Sequence, residues 1–124
     1  MILSQLAAAT LLIGVAAGPA IEPPTIHHMS MQQKNAAARV FATSATECIA
    51  RSVVADMRFR SDQPTDGLGD LIVDSVPKCL GPVRAMIDAY DRYFGAGTGE
   101  EFFMGPYLDV LPNAIVRQMK ATAQ

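Results

Sequence analysis

The chain has no tryptophan, and only two histidines and two cysteines among its 124 residues. Each scarcity narrows what the protein can do. Histidine is the commonest general acid–base group. Both histidines, His27 and His28, stand side by side near the amino end, outside the body of the chain. The net charge of −2 and the scatter of the basic residues argue against nucleic acid as a partner, because that surface needs a clustered positive field. No phosphate loop, dinucleotide fingerprint or zinc-finger spacing occurs, and there is no G-x-S-x-G nucleophile elbow. Cys48 and Cys79 are not a C-x-x-C pair, which speaks against a thiol-redox catalyst. There is no internal repeat. No stretch alternates Val, Ile and Thr as a half-buried strand would.

What is present begins with an apolar leader. Residues 1–20, MILSQLAAATLLIGVAAGPA, read as an export signal. The apolar run from Leu6 to Ala17 matches a signal-peptide core and is short for a membrane span. Small residues follow, with Val15 and Ala17, or Gly18 and Ala20, in the places a signal peptidase favours. No Lys or Arg precedes the run, so the amino terminus is its one positive charge. The expectation is cleavage near residue 20, export to a periplasmic or extracellular space, and no membrane association afterwards. The rival readings are an uncleaved anchor and a true start at Met29 or Met31.

Residues 21–35 are expected to form a flexible tail, since Pro23 and Pro24 favour extended, solvated chain. His27, His28, Met29 and Met31 group nitrogen and thioether donors within five residues. In an oxidising compartment such a group is a candidate copper site. The plain alternative is a linker, with no cofactor at all.

Residues 36–124 are expected to form a single helical domain. Its centre is CLGPVRAMIDAYDRYFG, residues 79–95. Pro82 suits a first helical position. Val83, Met86, Ile87, Tyr90 and Phe94 repeat with a 3.6-residue period, and Gly95 suits a left-handed stop. Asp88 lies four residues from both Arg84 and Arg92, the pattern of an exposed salt-bridge row.

Upstream, Phe41, Ala45, Ile49 and Val53 form a stripe that Val54 and Met57 widen. Ser44 and Glu47 resemble a capping box, so this helix either starts at Ala45 or runs unbroken through 36–58. SDQPTDGLGD, residues 61–70, is a loop. Leu68, Leu71, Ile72 and Val76 predict a helix over 68–76 that Pro77 ends. Asp66, Asp70 and Asp74 line its other face, with Asp66 as the expected cap.

Downstream, Thr98 and Glu101 suggest a helix starting at Gly99, Gly105–Pro106 interrupts it, and Pro112 opens a last helix. Leu108, Leu111, Ile115, Val116 and Met119 give that region its apolar side. Lys120 and Arg117 suit the negative end of its dipole. The fold class is therefore all-α, a small bundle of four or five short helices. An exported chain with two cysteines points to a Cys48–Cys79 disulfide, which closes a loop of about thirty residues and contributes roughly 3–4 kcal/mol.

The function read from these residues is binding. Phe102, Phe103, Met104 and Tyr107 are too closely spaced for one amphipathic helix to bury them all, which makes them a candidate patch for a protein partner. The alternative use of the same residues is to wrap the core from two directions. A second class of function is a small hydrolase of cell-wall sugars that uses a carboxylate pair, Asp88 with Asp91 or Glu100 with Glu101. Copper handling by the tail is a third.

Overall fold

The computed structural model describes residues 28–122. The signal segment and His27 lie outside them. Among the described residues every regular element is helical. The four or five short helices expected are instead three continuous rods, over residues 31–55, 68–94 and 98–122. The reason for the difference is what the chain does at its prolines and at one serine.

The first helix, Met31–Ala55, begins inside the stretch expected to be a flexible tail. Its capping box is Ser30–Gln33. The Gln33 N–H donates to Ser30 Oγ at 3.1 Å, and the Ser30 N–H donates to Gln33 Oε1 at 2.8 Å. Ser44 and Glu47 are therefore mid-helix and exposed, and no break occurs at Thr43–Ser44. The alanines of this stretch favour helix. Thr46, which might have competed with the backbone, donates its hydroxyl to the Ala42 carbonyl one turn back at 2.8 Å. Ala45, Ile49 and Val53 are buried as the stripe requires, with Phe41 half-buried. Val54 and Met57 do not widen it. The buried side turns toward Ala50 instead, Val54 is half-exposed, and Met57 lies beyond the helix end in full solvent.

The second rod is Leu68–Ser75, a 3-10 turn over Val76–Cys79, and Leu80–Phe94. Pro77 does not end it. The 3-10 turn takes Pro77 among its first residues, where a missing N–H costs no internal bond. Val76 stays helical, with φ −54° and ψ −47°, against the usual bias of a residue before proline. The following helix starts at Leu80, so Pro82 is its third residue rather than its first, still within the turn whose donors have no partner. Gly67, not Asp66, stands at the cap of Leu68–Ser75. Gly95 ends the rod with φ 117° and ψ 154°, a positive φ as expected but an extended ψ that sends the chain outward.

The third rod is Thr98–Phe102, a π turn over Phe103–Tyr107, and Leu108–Thr122. It starts one residue before the expected Gly99. Gly105–Pro106 does not interrupt it, because the wider π turn makes room for the proline ring that would strike the carbonyl four residues back. Pro112 lies inside Leu108–Thr122 rather than at its start, so the Leu108 carbonyl has no N–H to accept from at residue 112.

The rods pack around one core. Ile49, Val53, Met86, Leu111 and Ile115 are its largest fully buried apolar side chains, together with Cys79. Cys48 and Cys79 are bonded, with Cα atoms 6.0 Å apart, across 31 residues of sequence. The bond joins the middle of the first helix to the 3-10 turn of the second rod, just ahead of the Leu80 helix.

Candidate functional site

The second and third rods meet at a turn built from one carboxylate and one glycine. Asp91 Oδ1 accepts the N–H groups of Gly97 at 3.1 Å and Gly99 at 2.8 Å. Gly99 lies flat on the second rod, where a Cβ would fall on the Ile87 carbonyl. Thr98 does not form a capping box. Its hydroxyl lies 2.9 Å from the Tyr90 carbonyl and 2.7 Å from that of Gly95. Asp91 is thereby occupied as a turn anchor. Asp88, Glu100 and Glu101 are exposed, and Asp88 makes no ion pair among the described residues. The expected salt-bridge row on Arg84 and Arg92 is absent there, which leaves those side chains to solvent.

The closed turn sets the aromatic residues. Phe102 stacks on Tyr90 with ring centres 3.9 Å apart and planes 9° apart. Tyr107 packs at 5.7 Å from Phe102 and 5.9 Å from Phe103. The π turn aims Tyr107 inward, where it is 3% exposed. Its hydroxyl lies 3.0 Å from Thr46 Oγ1. Thr46 has one proton and gives it to Ala42, so Tyr107 is the donor in this pair. Burial pushes the Tyr107 phenol above its ordinary pKa, against the opposing pull of the Thr46 bond. Of the four residues of the candidate patch, Tyr107 belongs to the core, Phe102 and Phe103 are half-buried, and Met104 is exposed.

Phe102 and Tyr107 also open one end of a groove between the first helix and Leu108–Thr122. The groove has three basins in a row, of about 380, 310 and 390 Å³, with neighbouring basins sharing wall residues. The first is walled by Thr46, Phe102, Tyr107 and Val110. Gln118 continues into the second, beside Ala50 and Arg51. Val54 and Met119 continue into the third, which Phe59, Pro64 and Val116 close. Along the first helix it runs from Ala42 to Ala55, about 20 Å at 1.5 Å per residue. Three cations, Arg51, Arg117 and Lys120, line it, and no acidic side chain does.

Sequence reasoning missed this site. A signal for it existed: Ala42, Thr46, Ala50 and Val54 form a second four-residue stripe, one position behind the core stripe. Arg117 and Lys120 suit the helix end in sequence, and their place in the groove wall shows only once the two helices are side by side.

The remaining candidates lie elsewhere. His28 is exposed, Met29 is half-buried, and Met31 is the first residue of the first helix, 63% exposed. Asp74 of the acidic row is taken by Arg58 at 2.7 Å. Arg58 also pairs with Asp56 at 3.0 Å, and this guanidinium holds the Asp56 carboxyl down at about 2. Among the described residues no three His, Cys, Asp or Glu side chains gather as a metal site, and no helix is long and apolar enough to cross a membrane. No protein-family model, curated protein or solved structure matches this chain.

Proposed function

We propose that this is a non-catalytic helical protein, exported to an oxidising compartment, that works by binding another protein in the groove between its first and third rods. The observation that carries the reading is the groove itself. It is elongated and mostly apolar, and its basins follow one another over about four turns of helix, the shape that suits a segment of polypeptide. The disulfide supports the compartment, since such bonds persist where the surroundings are oxidising.

The test is a photo-crosslinking amino acid placed at Val54, in the groove, and separately at Val73, an exposed position on Leu68–Ser75 outside it. In the native host, Val54 should give a discrete adduct and Val73 none. Equal labelling at both positions, or none at Val54, overturns the reading. Export has its own check: the intact mass from the host should place the amino terminus between Gly18 and Glu22, and a chain still starting at Met1 would remove it.

A further inference from the structure

Building on that reading, we infer that the ligand of the groove is an acidic amphipathic helix. The argument is one of charge. The chain carries 12 acidic residues against 10 basic ones, yet the groove is lined by three cations and no acid. Arg51, Arg117 and Lys120 are exposed and make no ion pair among the described residues. They come from both walls, Arg51 from the first helix and the other two from Leu108–Thr122.

Arg58 is paired to Asp56 and Asp74, and Arg60 to Asp62. Arg39, Arg84 and Arg92 are exposed and make no ion pair among the described residues either, so the absence of a partner is not what marks the groove. What marks it is that three such cations gather along one concavity whose lining holds no acidic side chain. Val54, Val116 and Met119 supply the floor, and helix-in-groove recognition reads such a floor through anchors one helical turn apart. A ligand helix with apolar residues at that spacing and glutamates on its flanks meets both features.

A negatively charged membrane shares the charge but not the shape. A membrane-binding surface pairs free cations with protruding apolar side chains. Met57, the fully exposed methionine, sits instead beside Arg58, whose charge is already met, while the free cations surround a concavity.

The test uses the oxidised full chain and fluorescence anisotropy with three synthetic peptides. One is an amphipathic helix of Leu anchors and Glu flanks, the second has its Glu replaced by Lys, and the third is the first in scrambled order. Vesicles of phosphatidylglycerol are the fourth probe. The acidic helix should bind roughly tenfold or more tightly than the basic and scrambled peptides. Its affinity should fall as salt rises from roughly 50 to 300 mM.

The variant R51E/R117E/K120E should reverse the preference between acidic and basic helices. The single K120E should weaken the acidic helix alone, should the triple variant fold poorly. Equal binding of the first two peptides, or binding to vesicles alone, overturns the inference. A groove adduct at Val54 without acidic-peptide binding overturns the inference while the binding function stands. Loss of both overturns both.

Discussion

The first helix is held differently by its two neighbours. Toward the second rod it is closed. The Cys48–Cys79 bond crosses that seam, and the first helix makes its most extensive contact there, with Leu80–Phe94. Toward the third rod it is partly open, and Val54 and Val110 along that seam are 48% and 56% exposed. The closed seam buries Cys79, Val83 and Met86. The open seam is bridged near one end by Tyr107 and Thr46, and the groove runs on beyond them. The covalent tie and the groove thus lie on opposite sides of one helix, and the proposed recognition falls on the side that the disulfide leaves alone.

The most direct way to break this comparison is to cut the closed seam. Replacing Cys79 with alanine removes the cross-link and leaves a small cavity at a site 1% exposed. The expected loss is about 2–5 kcal/mol, read from urea unfolding of the oxidised proteins. Reductant should bring the wild type to the same midpoint. A loss under about 1 kcal/mol would mean that packing alone holds this seam, and the contrast with the open one would disappear.

Next in size is Gly99. Its alanine variant must push the Ile87 carbonyl away, an overpacking that costs about 1–3 kcal/mol. Gly69 is the control, because it lies within Leu68–Ser75 and a Cβ there meets nothing within 4 Å. Gly69→Ala should be neutral or slightly stabilising, since alanine is the better helix former. Equal melting temperatures for the two variants would show that the second and third rods are not in the close contact described.

The closed seam was largely legible in the sequence and the open one was not, for physical reasons. Ile49, Val53, Leu71, Ile72, Val83 and Met86 fall on apolar stripes, and stripes report burial directly. The disulfide followed from a cysteine count and a leader segment. Helix boundaries failed at Pro77, Pro106 and Pro112, because local rules price a proline in an ideal α-helix. Here a 3-10 turn, a π turn and a forgone bond absorb the three, which the packing of the whole rod tolerates. Ser44–Glu47 and Ser30–Gln33 have the same capping-box spacing, and the one that forms is Ser30–Gln33, only six residues after the Pro23–Pro24 pair that favours extended chain. The groove had no single-helix signature. It exists because two helices stand slightly apart, which neither helix's sequence encodes by itself.

Tyr107→Phe sharpens the comparison from the other side. It removes the donor to Thr46 and leaves Thr46 bonded to Ala42, so no buried proton is orphaned. The cost should be near 1 kcal/mol, the ordinary net worth of one hydrogen bond. The ring still fills its place against Phe102 and Phe103, so peptide binding in the groove should survive. A loss several times larger in unfolding experiments would make this bond a principal support of the open seam.

The smallest expected effect tests a charge-based tie on the closed side. Arg58 bridges Asp56, the residue that ends the first helix, and Asp74, on the face of Leu68–Ser75. It therefore repeats in salt-bridge form what the disulfide does covalently, tying the first helix to the second rod. Hydrogen bonds from the Arg58 side chain and backbone lower the Asp56 pKa from 3.8 to about 2. A carboxylate whose pKa is depressed on folding stabilises the fold fully above its unfolded value and loses that stabilisation as pH falls through its folded value. The window is therefore from above 3.8 down to about 2. Because Arg58 is exposed, solvent and salt screen the pair, which places this effect last. The wild type should unfold at a slightly higher urea concentration than Asp56→Asn at neutral pH. That gap should shrink below pH 3.8 and close near pH 2, and it should narrow with added salt. A gap that persists unchanged at the acid end would show that Asp56 acts through the extended backbone of the helix cap, leaving the disulfide and the apolar core to hold the seam without help from charge.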